Sequence, residues 1–252
     1  MIHRISILVA GLLAASGSTA FSDEAPKPLR ALLITGGCYH NYPSQVEQLT
    51  NALAKLAAVE WTVKIEACTG STRAELPLYD NPDWAKGFDV VVHNECFADT
   101  TNHTYIRKIL DAHKAGVPAA VIHCAMHTYR AADFDDWREF LGVTSKRHDR
   151  QARSAVKLLE PGHPILKGMP ADWTTPMDEL YNIDKLWPDA KALASSVSAE
   201  NGKTFPVIWI NQYGKARVFG TTYGHSDATW RDPVFLTYVS QGVLWAAGRL
   251  NE

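Results

Sequence analysis

An excess of charge of either sign is the first thing this chain lacks. Lys and Arg number 25 and Asp and Glu 27, a formal net charge of −2. That balance supplies no basic face for nucleic acid, so nucleic acid is excluded as a partner. Long apolar runs are missing beyond the first twenty residues, and no later segment reads as a membrane span. Repeats and low-complexity stretches are absent too. The sequence has no G-x-G-x-x-G. Gly36-Gly37 permits a tight turn close to a ligand, but no acidic residue is placed for a ribose, which excludes a nucleotide cofactor. H-E-x-x-H is absent, and the four cysteines (38, 68, 96 and 124) lack zinc-ribbon spacing.

What is present begins with basic Met1–Arg4, an apolar run from Ile5 to Ala15, and small residues to Ala20. This order predicts a signal peptide over 1–20, cut before Phe21, then a flexible leader over 21–29 and a single domain over 30–250. The expected location is secreted or periplasmic, with no membrane attachment after cleavage. The remaining chain is long enough for one large core. Three cysteines end predicted strands, unusual placement for scaffold disulfides in an oxidising compartment. Buried inert thiols are the favoured reading, with a Cys96–Cys124 bridge between neighbouring strand ends as the alternative. Eight Trp and nine Tyr suit a large core better than a carbohydrate-facing surface.

Four apolar segments run into His-bearing turns: Ala31 to His40, Phe88 to Glu95, Ala119 to His127 and Val218 to His225. Short runs of this type read as buried parallel strands. Strands are predicted at 30–35, 61–67, 88–92 and 117–122, with helices at 44–57 and 104–115 between them. This βαβαβ order implies a parallel sheet with right-handed crossovers. Further strands are predicted at 154–159, 180–183, 192–195, 205–210 and 216–221, the last two as a hairpin through 211–215. A C-terminal helix spans 233–247, and 142–190 reads as an excursion over the rim. Ligands of open α/β sheets sit beyond the carboxyl ends of the strands, so these histidines should meet there.

Seven of the ten histidines, at 40, 93, 123, 127, 148, 163 and 225, sit at predicted turns and strand ends. Neutral imidazoles with a carboxylate such as Glu95 form an ordinary ligand set for zinc or a similar divalent ion, and His40, Glu95, His123 and His225 are the candidate ligands. Without metal the same groups are proton donors and acceptors working near neutral pH. Cys124 follows a strand where a nucleophile elbow would lie, with His225 and Asp227 as orienting partners, but the elbow glycines are absent. Arg130 and Arg147 can bind an anionic or hydroxyl-rich ligand, while Asp133, Asp135 and Asp136 read as solvated loop charges.

Gly36-Gly-Cys-Tyr-His40, the His123 turn, His163-Pro-Ile165, Asp178-Glu-Leu-Tyr181, Gly214 to Phe219 and Gly224-His225 together resemble the ThuA-like (trehalose utilisation) family over residues 30–248. His93 to Phe97 and His123 to His127 look most like a secreted branch of it. The resemblance implies an α/β fold, a flavodoxin-like three-layer α/β/α sandwich with a mostly parallel central sheet, similar to class I glutamine amidotransferases. It also implies a role in processing trehalose-like disaccharides or related sugars. His123, the Asp178-Glu179 pair and His225 match the family's recurrent polar positions. Asn41 stands where an Asp recurs, and Cys124 replaces a smaller residue.

The reading is therefore an enzyme acting on a small-molecule sugar by acid–base or metal-assisted chemistry. His123, His225, Glu95 and Glu179 are the candidate catalytic residues. Gly37, Tyr39, His40, His127, Arg130, His148 and Tyr181 are the candidate substrate contacts. A Cys124-dependent amidase or hydrolase is the second reading. A non-catalytic carbohydrate-binding protein is the third, and it requires exposed aromatics such as Tyr39 or Trp230 and unperturbed histidines.

Overall fold

The computed structural model describes residues 27–250. The expected signal peptide and most of the leader lie outside the described residues. In chain order the elements are β1 (Leu29–Gly36), α1 (Tyr42–Ala54), β2 (Val59–Glu66), β3 (Val90–Glu95), α2 (His103–Ala115), β4 (Ala119–Ile122), α3 (Asp136–Leu141), β5 (Val143–His148), β6 (Val156–Leu158), β7 (Tyr181–Leu186), β8 (Ala190–Val197), β9 (Thr204–Tyr213), β10 (Ala216–Thr221) and α4 (Pro233–Ala246). Short 3-10 turns connect several of them, including one at His123–Met126.

Eight strands form one sheet in the order β2-β1-β3-β4-β10-β9-β8-β6. The first five pair in parallel, and β9, β8 and β6 add on antiparallel. Strands β3 and β4 are buried at every position, as expected for strands covered on both faces. Strand β2 lies at the edge and alternates between half-buried and exposed residues. Helices α1 and α4 pack together on one face of the sheet, and α2 and α3 on the other. This is the three-layer, flavodoxin-like architecture.

Local chemistry sets the helix boundaries. Asn41 accepts from the Ser44 N–H and Pro43 occupies the first turn of α1. Asn102 caps α2, and Gly116, with φ +128°, ends it. Leu49 and Leu53 of α1 and Ile106, Ile109 and Leu110 of α2 face the core at helical spacing. The predicted strand at 88–92 begins and ends later, at 90–95, so His93 lies inside β3 instead of in a turn. The 142–190 stretch does reach over the rim, as a two-stranded antiparallel ribbon of β5 and β7, but β6 leaves it to join the main sheet. Helix α3 was not predicted; it is only six residues long, too short for a periodic signal.

All four cysteines are paired, as Cys38–Cys68 and Cys96–Cys124. The favoured reading of inert thiols is therefore corrected. Strands β3 and β4 are neighbours in parallel register, which brings Cys96 and Cys124 just beyond their ends to a Cα separation of 5.1 Å.

The cap of α4 gives a direct stability test. Asp232 accepts from the Val234 and Phe235 N–H groups at 2.8 and 3.0 Å. Asp232→Ala should lower the urea midpoint, with an unchanged slope, by an amount equivalent to about 1 kcal/mol.

Candidate functional site

The carboxyl ends of β1, β3, β4 and β10 and the β5–β7 ribbon enclose a cavity of about 360 Å³. Tyr39, His40, His127, Arg130, His148, Glu179, Tyr181 and His225 line it, with Thr72, Cys96, Ala98, Asp99 and Cys124. Volumes of about 300 Å³ and upward are those of small-molecule sites.

His123 follows β4 with φ +47°, a left-handed conformation that a non-glycine residue adopts only when its surroundings impose it. The strained strand-to-turn position is thus His123 and not Cys124. Its Nδ1 lies 2.7 Å from the Thr222 carbonyl and donates to it, so Nε2 carries the lone pair. His40 Nδ1 lies 3.0 Å from the Tyr42 hydroxyl, and His40 Nε2 lies 3.1 Å from His225 Nδ1. Donor nitrogens of His40, His123 and His225 all lie within 4.8 Å of one another. Gly224, with φ +131°, lets the last turn run past His123: a Cβ there would stand 3.1 Å from the His123 Cβ.

Glu179 comes in from the ribbon. Its Oε2 lies 3.3 Å from His225 Nδ1, 3.6 Å from His148 Nδ1 and 3.7 Å from His123 Nε2. Asp178, the preceding residue, does not project into the cavity. Its buried carboxylate accepts from the backbone N–H groups of Gly224, His225 and Ser226. The Tyr181 ring stacks on His127, with centroids 4.1 Å apart, and its hydroxyl lies 3.4 Å from His123 Nε2.

Burial sets the protonation states. It pushes His40 and His127 down to about 3, helped by neighbouring His225 and His148 for the first and by Arg130 and His148 for the second. Burial also pushes His123 well below its ordinary value, with His40 adding to the effect. His225 moves the other way, because its hydrogen bond to Glu179 outweighs burial. Three neutral imidazoles therefore stand beside one imidazole–carboxylate pair. His123 Nε2 and Glu179 Oε2 are both acceptors that face each other, an arrangement a cation between them would satisfy. Zinc bound to imidazole at about 2.0–2.1 Å sets its nitrogens roughly 3.3 Å apart, close to the 3.1 Å between His40 Nε2 and His225 Nδ1.

Some predicted residues lie elsewhere. Glu95 is fully buried at the end of β3 and bonds His93 Nδ1 at 2.9 Å. His113, which burial lowers to about 3, donates from Nδ1 to the Val117 carbonyl at 2.7 Å, leaving its Nε2 to accept from His93 Nε2 at 3.0 Å. One proton is then shared between His93 Nδ1 and Glu95 Oε1. Glu95 is committed to this interior chain and does not line the cavity, so it is corrected out of the ligand and catalytic set, and Glu179 is the carboxylate beside the histidines. Gly37 also sits behind the wall, where a Cβ would lie 2.9 Å from the Cys96 carbonyl oxygen. His163 caps a short turn and faces Trp245. Asp227 accepts from Asn41, and Cys124 has no free thiol, so the proposed Cys124–His225–Asp227 arrangement does not form. Trp230 is wholly buried and bonds the Gly224 carbonyl, leaving Tyr39, 65% exposed, as the exposed aromatic of the cavity. Sequence reasoning missed Tyr42, Thr72 and Asp99. Asp99 follows a strand end and was findable on that ground, whereas Thr72 lies in an irregular loop with no such signal.

The sheet order and the rim site define an α/β protein of the class I amidotransferase-like, flavodoxin-like type. Within that class the chain belongs to the ThuA family, whose model, described as trehalose utilisation, matches residues 30–246. A protein described as ThuA-like from Parabacteroides merdae shares 20% identity and a TM-score of 0.72, over 90% of this chain and 92% of that one. A second, from Bacteroides uniformis, shares 16% identity and a TM-score of 0.69, over 89% and 94% of the two chains. A GMP synthase-like protein from Thermoplasma acidophilum shares 13% identity and a TM-score of 0.50, over 87% and 96%. No curated protein matches the sequence. The family supports a role in carbohydrate metabolism.

The buried histidines predict an acid-sensitive fold. His40, His113, His123 and His127 have folded values below the unfolded value of 6.5. Their contribution to stability is present above pH 6.5 and is lost as pH falls toward their folded values, because the unfolded chain takes up the protons first. Raised His225 acts oppositely but is one group against four. In protein kept metal-free with a chelator, urea stability should fall between pH 6.5 and 5. Each such histidine steepens the slope by up to about 1.4 kcal/mol per pH unit. A flat profile over that window would contradict these protonation states.

Proposed function

We propose that this chain is an exported enzyme of sugar metabolism whose His40, His123 and His225 hold a divalent metal, zinc or similar, with Glu179 as the proton-transfer group beside it. One observation carries the reading: three histidine donor nitrogens lie within 4.8 Å of one another beside the Glu179 carboxylate, with His40, His225 and Glu179 lining a cavity of about 360 Å³ and His123 buried behind them. Three histidines with an open position are the pattern of catalytic zinc sites. Such an ion supplies Lewis-acid polarisation of a bound oxygen and stabilises developing negative charge.

The chain's own residues supply the rest. The Thr222 carbonyl holds His123 in the tautomer that leaves Nε2 its lone pair, and the Tyr42 hydroxyl orients the His40 ring. Glu179, beside the cluster, takes a proton from a sugar hydroxyl or from water. Tyr181, His127 and His148 form a stacked wall against which a sugar ring lies. Neutral, buried histidines favour this reading over a binding module with solvated ones. Export is supported by the two disulfides, which persist in oxidising compartments. The partner is a small sugar, with no role for nucleic acid or a membrane surface.

Metal analysis and turnover on a disaccharide panel that includes trehalose test this together. The protein should bind close to one equivalent of zinc. His123→Ala should weaken binding by about a hundredfold or more and abolish turnover, and a chelator should reproduce the loss. Glu179→Gln should retain the metal yet lose about a hundredfold or more in turnover. Full activity after chelation, with the Glu179→Gln loss intact, would replace the metal by the His225–Glu179 pair alone. Full activity of Glu179→Gln would remove Glu179 from the chemistry.

A further inference from the structure

Arg130 lines the cavity but takes no part in the proton transfer or metal binding proposed above. It follows the His123 turn, and one of its guanidinium nitrogens, Nη1, is fixed by the Lys146 carbonyl at 3.2 Å and by His127 Nδ1 at 3.4 Å. Among the described residues no carboxylate forms an ion pair with it. By contrast, Arg30, Arg107 and Arg138 each pair with an aspartate. The Arg130 side chain is therefore oriented by neutral acceptors, and it stands exposed at the cavity wall with no carboxylate in ion-pair contact. A planar guanidinium held in this way matches a planar carboxylate in two-point contact.

Its place relative to the proposed reaction centre is set by the aromatic wall. His127, which touches Arg130, stacks on Tyr181, and the Tyr181 hydroxyl reaches His123 Nε2. Arg130 and the histidine cluster thus stand at the two ends of one stacked pair of rings. A single sugar ring laid on that wall would have one edge at the cluster and the other at Arg130.

Resting on the sugar reading above, we propose that the substrate carries a carboxylate, as a hexuronate does, and that Arg130 binds it. The charge balance favours a single negative charge over the double charge of a phosphate. His127 is neutral, because burial and Arg130 itself push it down to about 3. Asp99, bonded to Thr72, adds a negative charge to the same cavity. Asp99 repels a dianion more strongly than a monoanion, so the single charge of a carboxylate is favoured. Tyr39, exposed at the mouth, leaves room for a second sugar unit outside this subsite.

Equilibrium binding by calorimetry, on the protein as purified, decides this with three probes: glucuronate, glucose and glucose 6-phosphate. Glucuronate should bind at least about tenfold more tightly than glucose, and more tightly than the phosphate. Arg130→Gln should remove that preference, weakening glucuronate binding about tenfold or more relative to glucose. Arg130→Lys should keep only part of it, since the charge remains but the two-point contact does not. A preference for the phosphate would overturn the assignment to a carboxylate. Equal binding of glucose and glucuronate, or a glucuronate preference that survives in Arg130→Gln, would overturn the inference while leaving the sugar reading in place. Failure of every sugar to bind would overturn the sugar reading and this inference with it.

Discussion

The carboxylate of Asp178 accepts hydrogen bonds from the backbone N–H groups of Glu179, Gly224, His225 and Ser226. It is almost completely buried, and burial raises its pKa, although the bonds it accepts oppose that rise. This junction ties the β5–β7 ribbon to the turn after β10. Without it Glu179 and His225 would belong to two independent segments. With it, the carboxylate and the imidazole are held at 3.3 Å. Leaving several buried N–H groups without an acceptor costs about 1–3 kcal/mol each, so the junction is a strong constraint on the geometry of the site.

The rest of the site is an electrostatic consequence of where the sheet ends. The parallel strands deliver His40, His123 and His225 to one rim, and the ribbon closes over them and removes water. Burial then keeps His40 and His123 neutral, while Glu179 holds His225 in the charged direction. The outcome is a group of nitrogen lone pairs facing a carboxylate across less than 4 Å. Positive charge between such acceptors stabilises them. A shared proton does this at the His225–Glu179 contact, and a metal ion would do it for all of the donors at once.

Much of the fold was legible because it rests on local signals. The apolar runs of β1, β3, β4 and β10 and the helical spacing of α1 and α2 each predict their own element, and the βαβαβ order then fixes the parallel sheet. The site was legible in part for the same reason: residues that end neighbouring parallel strands converge. Glu95 shows where that reasoning fails. It also ends such a strand, yet its side chain turns inward to His93, because alternation along a strand sends adjacent residues to opposite faces and one residue of register decides which. Trp230 fails similarly, since a Trp in a polar turn reads as exposed until the Gly224 carbonyl it bonds is known. Cys96–Cys124 needed the register of β3 against β4, which no single segment contains. The ribbon was the hardest part, because its pairing is long-range and irregular, with shifts between Thr144 and Arg147.

One ion held by His40, His123 and His225 is the central claim. Anomalous diffraction at the zinc edge, from crystals of the protein soaked in zinc at low concentration, locates such an ion without reference to activity. The prediction is a single strong peak about 2.0–2.2 Å from one nitrogen of each histidine, with Glu179 beside it. No peak at the cluster, with peaks only at surface carboxylates or exposed histidines, would contradict the claim.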